Sequence, residues 1–256
     1  MSEISHGARL AAERSPQDKK KINYFQTLTT RYLPEMRLLL KGGKLVRRDN
    51  EHKKLSLGDR QRWINVTEHC LVAAAEAEEL ANALGLPDED KIQLGKAAAI
   101  HDWDKRLSKK SREFTEIEKT EAGELLEKTG VDKELMSATD PSFSKRCLID
   151  HEDTTLLQRL LYYIDTITEE SEVVPFKPRL VKAKERWPEL GQNDELNREI
   201  SAVLGEGKGY WELVDEMSAQ VQQEIFNLLR QRGVELQSPD EVPRFIKMQI
   251  EKNYGN

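Results

Sequence analysis

The stretch from Trp63 to Ile100 constrains this chain most. An Ala-, Glu- and Leu-rich run stops at Gly85, and Leu86-Pro87-Asp88 opens a second run through Ile92, Ala97, Ala98 and Ile100. Alanine, glutamate and leucine are strong helix formers, glycine accepts the left-handed turn just past a helix end, and proline is tolerated in a first turn. The pattern predicts two helices joined by a short connection. Such a pair lies roughly antiparallel, so the start of the first meets the end of the second. His69 falls early in the first helix and His101-Asp102 at the far end of the second.

The remaining chain reads in the same way. Charged residues make up 34% of it, and no stretch alternates Val, Ile or Thr with polar residues for long. Helix is therefore expected almost everywhere, and the fold class is all-α. Residues 1–20 are polar and read as a frayed terminus. A helix over Ile22–Leu40 carries Phe25, Leu28, Tyr32, Leu33 and Leu38 on its apolar side, is kinked or divided by Pro34, and ends at Lys41-Gly42-Gly43-Lys44. The basic segment Gly43–Asp59 lacks periodicity and reads as a linker. A third core helix is expected over Glu116–Lys128, closed by Gly130, and a fourth over Thr154–Glu169. Pro175 and Pro178 mark the end of this core. Beyond them come a helix around Leu180–Trp187, a turn at Gly205–Gly209 and a helix around Trp211–Arg230. The expected division is an N-terminal tail, helix and basic loop over 1–58, a core over 59–175, and a C-terminal helical extension over 176–256 packed on it.

At 256 residues the chain can bury a core that needs no staples. Its two cysteines, Cys70 and Cys147, sit in apolar helical settings and read as reduced thiols. Met1-Ser2-Glu3-Ile4-Ser5-His6 carries no apolar signal core, and no apolar run approaches the roughly 20 residues that cross a bilayer. A soluble, cytoplasmic protein with no membrane partner is expected. A net charge of -6 argues against a whole-surface nucleic-acid binder, so a phosphate partner must be recognised locally.

The chemistry lies in an ordered series: His69 in Asn65-Val66-Thr67-Glu68-His69-Cys70, the pair His101-Asp102, and Asp165 in Tyr162-Tyr163-Ile164-Asp165-Thr166. Two imidazoles and two carboxylates suit one divalent ion, Mn, Fe, Co, Ni, Zn or Mg, and leave positions for water and a phosphate oxygen. Asp165 lies against Leu156, Leu157, Leu160, Leu161 and Ile164, and a buried carboxylate needs a partner such as a metal. The chemistry to which this set points is metal-assisted hydrolysis.

These residues resemble the HD superfamily of metal-dependent phosphohydrolases over about residues 60–170. The separations, 32 residues from His69 to His101 and 63 from Asp102 to Asp165, fit that family's layout of ligands on three core helices. The resemblance implies an HD-domain helical bundle and a hydrolase of ester bonds. Lys119-Thr120-Glu121-Ala122-Gly123-Glu124-Leu125-Leu126 looks like the stretch that begins with an additional His in two-metal members, and that His is absent here. His151, in Asp150-His151-Glu152, resembles the His preceding the last core helix in many members and, without its usual companion, gives at most half of a second metal site. One metal is favoured over two.

Lys105 resembles the lysine of the HD-x-x-K variant. Four residues after His101, it stands about one helical turn along, placed to neutralise a phosphate oxygen. Asp104 is the candidate to orient or deprotonate the attacking water. The family's nucleotidase branch carries Glu where Lys105 stands, which counts against a 5′-deoxynucleotidase. Arg106 opens a basic strip after the motif, and Arg62, two turns before His69, is placed to reach a phosphate. The expected substrate is a small phosphorylated molecule, foremost a nucleotide. The alternatives are a nucleotide-sensing module with little turnover, or a phosphodiesterase or nuclease whose basic strip tracks a single strand, which the acidic chain disfavours. A homo-oligomer is compatible with either.

Overall fold

Residues 16–39, 57–102, 124, 126–139, 143–149 and 153–254 are described by the computed structural model. They are predominantly helical, with one two-stranded sheet among them. The all-α expectation holds.

Helix α1 spans Pro16–Arg31, and helical structure resumes over 33–39 after a break at Tyr32. The break falls two residues before Pro34, whose missing amide hydrogen removes one bond from the helical ladder. Helix α2 spans Leu57–Ala83 and α3 spans Asp88–Ile100. Gly85, at φ 62°, reverses the chain between them. The amide of Leu86 donates to the Ala81 carbonyl at 3.0 Å and that of Gly85 to the Asn82 carbonyl at 3.0 Å, the two bonds of a left-handed helix cap. Asp88, Glu89 and Asp90 then place negative charge in the first turn of α3, where the helix dipole favours it.

The reversal sets the register of the site. His69 and His101 each lie 16 residues from Gly85, so an antiparallel pair of equal rise brings them level. The two helices approach closely because Ala73, Ala77, Ala81, Ala97 and Ala98 are buried in one cluster with Leu80 and Leu94.

Helix α4 (Lys133–Met136) and α5 (Phe143–Ile149) lead into α6 (Leu156–Ile167). Thr155 caps α6, its side chain accepting from the Gln158 amide while Gln158 Oε1 accepts from the Thr155 amide at 2.9 Å. Strands β1 (Thr168–Glu169) and β2 (Glu172–Val173) pair antiparallel, with Glu170 at φ 53° in the turn, and deliver α7 (Phe176–Arg186). Helices α8 (Asp194–Leu204), α9 (Tyr210–Gln231) and α10 (Val242–Tyr254) complete the chain.

One buried cluster joins Leu80 of α2, Leu94 of α3, Leu160 of α6, Ile225 of α9 and Ile246 of α10, so the C-terminal helices share the core of the central ones. A second packs Leu28 and Tyr32 against Leu71, Ala75 and Ala99. Between α6 and α9 the Arg159 guanidinium makes a fork to Glu224, with Nε and Nη2 each 2.9 Å from a carboxylate oxygen.

Several boundaries correct the sequence reading. Helix α1 begins at Pro16, inside the stretch read as a frayed terminus, and α2 begins at Leu57, inside the expected linker. Asp59, Arg60, Gln61 and Arg62 show no apolar period, yet Arg and Gln propagate a helix well. His69 is consequently central in α2 rather than early. Pro175 and Pro178 open α7 instead of ending the core: one caps the helix and the other sits in its first turn, where a missing amide hydrogen costs nothing. Thr168 and Glu169, expected to end the fourth helix, form β1. Of the expected third helix, residues 126–129 are helical and the stretch before residue 124 lies outside the described residues.

Candidate metal centre

Each of the three core helices delivers one part of a single cluster: α2 brings His69, the end of α3 brings His101-Asp102, and the last turn of α6 brings Asp165. The Nε2 atoms of His69 and His101 lie 3.0 Å apart, their rings tilted at 55°. Asp165 Oδ1 stands 3.4 Å from each. Asp102 closes another side, with Oδ2 3.8 Å from His69 Nε2 and Oδ1 3.5 Å from His101 Nε2. The ligand atoms of His69, His101 and Asp165 lie within 4.8 Å of one another, and this group can hold a metal ion.

The fold also selects which nitrogen faces the cluster. His101 Nδ1 lies 2.7 Å from the carbonyl of Ala98, one turn back. A carbonyl only accepts, so Nδ1 carries the hydrogen and Nε2 of the neutral ring presents its lone pair to the centre. This is the arrangement that outer hydrogen bonds impose on metal-ligating histidines. The His101 side chain is fully buried and that of His69 nearly so, while Asp165 retains 24% of its side-chain exposure. Asp165 thus marks the solvent side, and it is less buried than its apolar sequence neighbours imply.

At 3.0 Å the two Nε2 atoms hold a hydrogen or a metal ion between them, and a neutral His69 with its hydrogen on Nε2 can donate to the His101 lone pair. Burial pushes the pKa of His69 down, and the charge on His101 adds to that effect against Asp165 and Asp102. Burial also works against an imidazolium at His101, but Asp102, Cys70 and Asp165 outweigh it and hold its pKa well above the ordinary histidine value. A hydrogen on either Nε2 points at the other ring, so both rings face a metal only once that hydrogen has left.

Two neighbours were not singled out by the sequence reading. Glu76 lies two turns after His69 on the buried side of α2, and burial pushes its carboxyl well up, with Arg179 and His101 among the nearby positive groups. Thr168 Oγ1 is 3.0 Å from Glu76 Oε1 and 2.8 Å from the Ile164 carbonyl oxygen. The hydroxyl donates to Glu76 Oε1, and the Ile164 carbonyl also accepts from the Thr168 amide. The seven-residue spacing from His69 was the available signal. Arg179, from the first turns of α7, places Nη2 3.3 Å from Asp165 Oδ1. No local signal marks it, since only the β1–β2 hairpin returns α7 to this cluster.

Lys105, Asp104, Arg106 and His151 lie outside the described residues. The backbone of Arg62 is part of α2, two turns before His69. Cys70 and Cys147 are buried free thiols. Tyr210 and Trp211 pack edge to face, with ring centroids 5.0 Å apart. No helix among the described residues is long and apolar enough to cross a membrane.

Fold and site together define the class: an all-α protein with a two-histidine, carboxylate-flanked cluster that can hold a metal ion between three helices. No protein-family model matches the chain, and no curated protein or solved structure does either.

Proposed function

We propose that this chain is a metal-dependent phosphohydrolase of the HD type, acting on a phosphomonoester or nucleotide through a metal-activated water. The observation that carries the reading is the pair of Nε2 atoms 3.0 Å apart, each 3.4 Å from Asp165 Oδ1, with His101 oriented by the Ala98 carbonyl. The order His69, His101-Asp102, Asp165 and the resemblance it carries support the same reading.

A divalent ion held by His69, His101, Asp102 and Asp165 would lower the pKa of a bound water toward neutrality and polarise a phosphoryl oxygen. The chain's own groups do the rest. The Ala98 carbonyl fixes the His101 tautomer, Asp165 takes the solvent-facing side, and Lys105, with Arg62 and Arg106, would neutralise substrate phosphate. Asp104 would accept the proton of the attacking water.

The test is phosphate release from a panel of phosphomonoesters and nucleotides with Mn, Co, Ni or Mg added, comparing the native chain with Asp102→Ala. Metal-dependent turnover that disappears in the variant is the expected result. Bound metal and bound nucleotide without product would replace the enzyme by a sensing module, and no metal binding would end the reading.

A further inference from the structure

We infer that Arg179 is a substrate-binding residue of this centre, contacting the phosphate of a ligand held at the metal. The inference rests on the metal-centre reading above and adds to it a residue from outside the ordered His and Asp series.

Arg179 Nη2 lies 3.3 Å from Asp165 Oδ1, the oxygen that is also 3.4 Å from both imidazole Nε2 atoms. The guanidinium is therefore one atom removed from the place an ion would take. Both side chains keep about a quarter of their exposure, 25% for Arg179 and 24% for Asp165, whereas His101 is fully enclosed by the protein. A ligand arriving from solvent meets this side first.

Charge favours an anionic ligand. Two carboxylates cancel a divalent ion once the imidazoles are neutral, and Arg179 remains as surplus positive charge at the open edge. A guanidinium has five donors in a planar fork, and the contact to Asp165 Oδ1 uses one of them. The others are geometrically suited to a tetrahedral phosphate, which accepts paired N–H bonds from arginine. A structural ion pair alone would be met as well by burying Arg179 against α6. Instead the hairpin Thr168–Val173 and the first turns of α7 hold it partly exposed at the rim.

The experiment measures two affinities separately in the full chain. Mn2+ binding is followed by calorimetry, and inorganic phosphate binding to the Mn2+-loaded protein by 31P relaxation. Compared are the native chain, Arg179→Gln and Arg179→Lys, each shown folded by its circular dichroism melt. The expected result is Mn2+ affinity within about threefold of native in both variants. Phosphate affinity should fall about tenfold or more in Arg179→Gln, the scale of one charge-assisted hydrogen bond, with Arg179→Lys between the two. Phosphate affinity unchanged in Arg179→Gln overturns the inference. So does Mn2+ affinity that falls in step with it, since Arg179 would then only position Asp165. A native chain that binds no Mn2+ removes the metal-centre reading and this inference with it. Mn2+ bound with phosphate affinity indifferent to Arg179 removes this inference alone.

Discussion

His101 Nδ1 donates to the carbonyl of Ala98 at 2.7 Å, and this bond turns Nε2 toward His69. Both rings turn a lone pair on a metal only when no hydrogen lies between the two Nε2 atoms, so a proton held by His101 competes with a metal.

Metal affinity should therefore rise with pH. His101 holds its proton well above the ordinary value of 6.5, because Asp102, Cys70 and Asp165 together outweigh the opposing burial. Below that raised value a metal must displace the proton. Mn2+ titrations between about pH 6 and pH 8 should show affinity increasing and proton release on binding. Replacement of either imidazole, in His69→Ala or His101→Ala, should cost at least about 100-fold in affinity. Affinity independent of pH would show that no proton on His101 competes with the metal.

The Glu76 carboxyl predicts a pH dependence of stability in the metal-free protein. Its pKa is pushed well above 4.5 by burial, so its contribution is fully present below about 4.5 and is lost as pH rises through the raised value. Glu76→Gln keeps the shape and cannot ionise. Melting temperatures of the native chain and this variant should diverge as pH rises from about 5 to 8, with the native chain losing ground. Parallel curves would show that Glu76 does not titrate there.

Gly95 of α3 is held to a hydrogen by Tyr32. A Cβ at this position would run into the Tyr32 hydroxyl, which donates to Glu78 Oε1 at 2.6 Å. Gly95→Ala should destabilise by about 1–2 kcal/mol in urea unfolding, the clash exceeding the gain in helix propensity. In a Tyr32→Phe background the hydroxyl contact is gone and the ring carbons at 3.1 and 3.3 Å need shift only by a few tenths of an ångström, so the same change should cost less. Simple additivity of the two substitutions would exclude the steric account.

The Arg159–Glu224 fork should be one of the stronger polar ties between α6 and α9. Arg159 is 8% exposed, so Arg159→Ala removes a buried cation and leaves Glu224 without this partner. A loss of about 2–4 kcal/mol is expected, with a clear drop in melting temperature. A double-mutant cycle with Glu224→Ala should return a coupling energy above about 1 kcal/mol. Its absence would place the stability of this interface in the apolar contacts alone.

How much of this was legible depended on the range of the signal. Gly85 and the alanines around it set a helix, a reversal and a second helix through local propensity, and His69 and His101 follow by counting. The start of α2 was not legible: Leu57–Arg62 lack an apolar period, and polar helix formers leave no stripe to read. Pro175 and Pro178 were misread because proline marks a helix start as readily as an end. Glu76 had a visible seven-residue spacing from His69, but its two turns of separation give no sign of the Thr168 hydroxyl beside it.

By itself the sequence determined the all-α class, the antiparallel pairing of α2 with α3, and the order of the imidazoles and carboxylates, because helical periodicity and caps act over a few residues. Only the tertiary structure decided that Asp165 sits partly exposed at the rim, that Arg179 pairs with it, and that His101 leans on Ala98. Those contacts depend on how the hairpin after α6 returns the chain and on which atoms are left facing one another once the helices pack, and no local spacing encodes either.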